Sequence, residues 1–156
     1  MYLQYLVKEK VRKSAMKNKG LYFGIVLYAL HAALLIAAAI ISLTSSNRAY
    51  AVTGINNLVA AGIGAAVVDV IAIVCFVKGF EIVTDILTWI SIVLSMMLMC
   101  GMITGRLKLM GYVWFSDLES GNPVAVGALN LTVVAWICVA VGVTCLCVKG
   151  FKQEKR

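Results

Sequence analysis

"VKGFE" (77–81) and "VKGFK" (148–152) each follow a long apolar run, and the reading of this repeated string decides the fold. A lysine at the end of an apolar helix can reach the lipid headgroups and meets the negative end of the helix dipole. The glycine after it suits the left-handed residue that closes many helices, and the phenylalanine packs at the bilayer interface. Lys78 and Lys149 are thus interface anchors, at two places where a helix leaves a membrane on the same side.

Working outward from these exits, four runs have the length and composition of membrane spans: 21–44, 53–77, 82–104 and 125–148. About 20 residues at ~1.5 Å each cross ~30 Å of hydrocarbon, and helices satisfy their own backbone there. Of the 156 residues, 62% are hydrophobic and 13% charged, with a mean hydropathy of +0.96, too little charge to coat a soluble domain of this size. The first run has a basic leader and a small-x-small triplet at 49–51, as a signal peptide would. At about 24 residues its apolar part exceeds the ~7–15 of a secretory core, so it reads as a retained span.

Charge sets the orientation. With four spans, the N-terminus, the 78–81 turn and the tail share one side, which carries 11 of the 14 Lys and Arg residues; Arg48, Arg106 and Lys108 fall on the other. The positive-inside rule then puts both termini in the cytoplasm of a multi-pass cell-membrane protein. The net charge of +7 belongs to this bias and gives no sign of nucleic acid. Segment 1–20 spaces Leu3, Leu6, Val7 and Val11 helically among lysines, as an amphipathic helix on anionic lipid does. Residues 149–156 form a basic cytoplasmic tail.

The expected architecture is all-α: four transmembrane helices as two antiparallel hairpins. "GINNL" (54–58) and "GALNL" (127–131) precede the two VKGF strings by similar distances, so a parallel internal repeat is a second explanation of the string beside exit chemistry. The KGFE turn makes spans two and three neighbours. The 105–124 link brings Tyr112 and Trp114 as interface anchors, "SDLE" with capping-box spacing in a short interfacial helix, and Pro123 to start span four.

Two ionisable residues lie deep. Asp69 is nine residues before Lys78, ~13 Å from the boundary, and His31 falls within about a turn of that depth. A charge at the bilayer centre costs about 3 kcal/mol on insertion scales, so Asp69 must be paired, protonated or wet. It shares a face with Gly62, Ala65, Ala66 and Ala72, where small side chains let helices approach, and so points into the bundle. On span one, Gly24, Tyr28 and Ala32 form one small-residue row, and Ala29, Ala33 and Ala37 another. The pair reads either as a proton- or ion-coupling site or as a structural pair, with a hydroxyl such as Thr88 or Thr144 as partner to Asp69. The five cysteines read as small apolar residues inside spans, and no metal or cofactor is implied.

No nucleophile elbow, metalloprotease helix or phosphate loop occurs, so an enzyme is not expected. The expected function is a non-catalytic accessory or interaction subunit of a membrane complex, with a membrane-protein partner or a second copy as its ligand. An oligomeric transporter or channel using His31 and Asp69 is the alternative.

Overall fold

The computed structural model describes residues 2–48, 51–115 and 120–154, with side-chain environments for 20–47, 51–115 and 120–149. They form four helices: α1 (Tyr2–Arg48), α2 (Ile55–Lys78), α3 (Glu81–Phe115) and α4 (Pro123–Glu154). Each contains a stretch long and apolar enough to cross a membrane. The basic segment 1–20 continues into the first span as one helix, without a break at Gly20.

The four helices pack in a ring that brings α4 back against α1. α1 packs on α2 and α4, α2 on α3, and α3 more sparsely on α4, while α1 and α3 face each other diagonally and barely touch through their backbones. Registers run oppositely along each packed pair. On α1 and α2, Gly24 meets Phe76, His31 meets Asp69, and Gly62 faces Ala39. On α2 and α3, Asp69 meets Ser91, and Leu98 and Leu58 sit over Gly62 and Gly101. A Cβ added at Gly101 would run into Leu58, so this glycine sets how closely α2 and α3 approach, and one at Gly105 would run into Val52 in the link before α2.

The inward seams follow a 3-4 spacing. On α1 the buried series is Tyr28, His31, Leu35, Ala38, Ser42 and Ser45; on α3 it is Thr84, Ser91, Ser95, Leu98, Met102 and Arg106, with the half-buried Thr88 in step. That is the stripe helices need to interlock at a shallow crossing angle. The large aliphatic and aromatic side chains Ile40, Val70, Ile82, Trp89 and Val93 point outward. Small and polar side chains thus take many of the inward positions while large apolar ones face out, which suits a bundle surrounded by lipid.

Two sequence expectations are corrected. Gly79 takes the left-handed conformation (φ 82) and closes α2, with the N–H groups of residues 79 and 80 returning to Phe76 and Cys75. Gly150 does not: α4 runs through it to Glu154, because the residues after it can continue a helix whereas those after Gly79 start a new one at Glu81. The Ala29 row of α1 faces outward at Ala29 and Ala33, and only the row of Gly24, Tyr28 and Ala32 is buried. Pro123 does open α4, with the Asn122 side chain accepting from the Val124 and Ala125 N–H groups. Tyr112 and Trp114 belong to the last turns of α3, and the capping box at 116–119 lies outside the described residues.

Candidate functional site: three polar layers in the core

The core carries three polar layers along its length, each joining α1 to its diagonal partner α3. The central one holds both residues singled out from the sequence. His31 Nδ1 lies 2.6 Å from Asp69 Oδ2, and neither side chain has any exposed surface. Asp69 is carried there by the small-residue face of α2: Gly62, Ala65, Ala66, Asp69 and Ala72 are that helix's buried residues. Ser91 donates to Asp69 Oδ1 at 2.7 Å, and Ser95 Oγ stands 3.3 Å from His31 Nε2 while donating to the Ser91 carbonyl at 2.7 Å. On the far side, a Cβ at Gly142 would lie 2.7 Å from His31 Cδ2, so the imidazole occupies the space this glycine leaves in α4.

One turn toward Lys149 lies the second layer. Lys149 is 5% exposed, and its Nζ donates to the Tyr28 hydroxyl at 2.9 Å. It stands over the Tyr28 and Phe76 rings, 5.1 and 5.5 Å from their centroids, and 3.5 Å from Asp85 Oδ1. Thr88 gives its hydroxyl hydrogen to the Thr84 carbonyl, so Tyr28, which accepts from Lys149, donates to Thr88. The two VKGF lysines therefore differ. Lys78 is exposed at a helix end, whereas Lys149 is turned inward as a cross-link.

The third layer is at the opposite end. Arg106 is fully buried, and its Nη2 donates to Ser45 Oγ at 2.7 Å. Ser45 lies 2.6 Å from the Ala128 carbonyl and 2.7 Å from the Thr132 hydroxyl. Between this layer and the central one, Leu35, Ala38, Leu98, Met102 and Val139 pack as an apolar cluster, with the buried Ser42 at its edge toward Ser45. Beyond it, a groove of about 680 Å³ opens between α2 and α3, lined by Asn57, Leu58, Gly101, Thr104 and Lys108 among others.

The hydroxyls proposed for Asp69 are not its partners: Thr144 is exposed and bonds within its own helix, and Thr88 belongs to the Tyr28 layer. Ser91 and Ser95 could have been found from the run Thr84, Thr88, Ser91, Ser95, whose 4-3-4 spacing puts four hydroxyls on one helical stripe. Tyr112 and Trp114 are partly exposed, and Cys100 and Cys147 face outward rather than into the core.

Chemically, Ser95, His31 and Asp69 stand in the order of a nucleophile, base and orienting carboxylate. The serine hydrogen is committed to a backbone carbonyl, however, and the group has no exposed surface at which to meet a substrate. As placed, the layer can hold charge and protons. Comparison with protein-family models, curated proteins and solved structures gives no match. What the fold and core define is a class: among the described residues, four helices long and apolar enough to cross a membrane, with an ionisable pair sealed between them.

Proposed function

We propose that the protein is a non-catalytic accessory or interaction subunit of a membrane complex, built as two antiparallel hairpins in the cell membrane with both termini cytoplasmic. The observation that carries this reading is the closure of the central layer. His31, Asp69, Ser91 and Ser95 satisfy one another and have no surface, so they act as pins between helices. What the bundle offers to its surroundings is its outer helix faces. These meet the bilayer and a membrane partner or second copy, while the basic segments meet anionic lipid at the cytoplasmic face. No nucleic acid enters this reading. The opposed registers support the hairpin layout, whereas exit chemistry accounts for the first VKGF string only, since Gly150 does not close α4 and Lys149 is turned inward.

The direct pairing of His31 with Asp69 favours a second reading, an oligomeric transporter or channel coupled to protons at that site. Asp69→Asn separates the two. The amide keeps the shape and hydrogen-bonding capacity of the carboxylate but cannot carry its charge. In the accessory reading the variant assembles with unchanged oligomeric state and melts within about 1–2 kcal/mol of the parent, a typical value for one interhelical hydrogen bond in a membrane. A folded Asp69→Asn protein that has lost a pH-driven flux shown by the parent in liposomes would replace the accessory reading with the coupled one.

A further inference from the structure

The hydrogen atoms of the central layer can be counted. Ser91 has one, and its near acceptor is Asp69 Oδ1 at 2.7 Å, with the Ala65 carbonyl more distant at 3.4 Å. Ser95 has one, and its near acceptor is the Ser91 carbonyl at 2.7 Å rather than His31 Nε2 at 3.3 Å. Short, direct geometry takes the hydrogen, so Ser95 presents lone pairs to the imidazole. A bare Nε2 would then set lone pair against lone pair in a dry core. A hydrogen on Nε2 instead makes the contact a donation to Ser95 Oγ. The 2.6 Å contact between Nδ1 and Oδ2 needs one more hydrogen, carried by either atom.

We propose that His31 and Asp69 form a proton-binding site that holds two protons in this state, one shared between Nδ1 and Oδ2 and one on Nε2. Charge leads to the same count. With two protons the pair is neutral overall, as imidazolium with carboxylate or as imidazole with carboxylic acid. With one it is an anion, and among the described residues no cation touches it. Against His31, α2 contributes Asp69, α3 contributes the hydroxyls of Ser91 and Ser95, and α4 contributes Gly142, while Lys149 is held in the adjoining layer by the Tyr28 hydroxyl. A lone charge in such surroundings is strongly disfavoured.

The site also has a second state built in. When the Nε2 proton leaves, Ser95 can turn its hydroxyl from the Ser91 carbonyl to Nε2, which keeps the imidazole bonded but releases a back-bond along α3. Serine back-bonds of this kind bend helices, so proton occupancy is coupled to the path of α3. The ligand is a proton, whether the protein moves it across the membrane or only stores it. The inference concerns occupancy, and it does not depend on the transport reading.

The chain has one histidine, so ¹⁵N magnetic resonance of the histidine-labelled full-length protein in bilayers reports this ring alone. The expected result near neutral pH is a protonated Nε2, with its hydrogen shifted by donation to an oxygen. In Ser95→Ala that hydrogen-bond shift should disappear. An unprotonated Nε2 in the folded parent protein would overturn the proposal, and so would a folded Ser95→Ala protein with an unchanged Nε2–H signal. Neither outcome depends on a flux measurement, so failure here is distinct from the Asp69→Asn result.

Discussion

At the scale of the residue, Gly142 governs the centre of the molecule without carrying any chemistry. The His31 ring lies where its side chain would be. Gly142→Ala places a methyl group 2.7 Å from His31 Cδ2, and the imidazole cannot retreat without lengthening its 2.6 Å bond to Asp69. We expect a loss of about 1–3 kcal/mol, the usual cost of overpacking a tight core, read by thermal unfolding in detergent. The His31 resonances should shift with it, whereas an alanine at the outward-facing position 141 should move neither. The inward aim of Asp69 was legible in the sequence, because small residues on one helix face leave few other ways to house a carboxylate. Its partners were not. Hydroxyls recur along α3 and α4, and which one meets Asp69 depends on a rotation and a register that spacing alone leaves open.

At the scale of the element, the two VKGF strings show how neighbours override a motif. The chain reverses after Gly79 and needs its positive φ there, but it continues as helix through Gly150. Gly79→Ala is therefore expected to destabilise by about 1–2 kcal/mol, the cost of a left-handed alanine. Gly150→Ala is expected to stabilise by about 0.5–1 kcal/mol through helix propensity. Unfolding midpoints that move in opposite directions would bear this out, and equal shifts would refute it. The third helix shows a related limit. Arg106 and Lys108 read alike in the sequence as charges just past an apolar run, yet Arg106 is buried against Ser45 while Lys108 is exposed, and the helix continues through both to Phe115.

At the scale of the whole molecule, hydropathy was enough to find the four helices of the described residues, though not their ends, because lipid permits few other ways to satisfy a backbone. Orientation rests on the distribution of Lys and Arg, 11 against three, and is open to direct test. Reporters fused after Arg156 and inserted after Glu119 should report opposite sides, with the first cytoplasmic; any other outcome would undo the layout. What hydropathy could not show is that the polar residues inside are sorted along the bundle axis. The Tyr28 layer adjoins the His31 layer, one turn away on both α1 and α3, while the apolar cluster of Leu35, Leu98, Met102 and Val139 fills the other side. Across a polarised membrane this sorting has an electrical meaning. The potential falls mainly through dry, weakly polarisable material, so a proton at His31 feels a share of it set by depth. Entering from the Lys149 end, that proton crosses about 13 Å of ~30 Å, which is worth about 1 kcal/mol per 100 mV. In a polarised bilayer the occupancy of that buried site would then carry an electrical cost beside the hydrogen bonds that hold it.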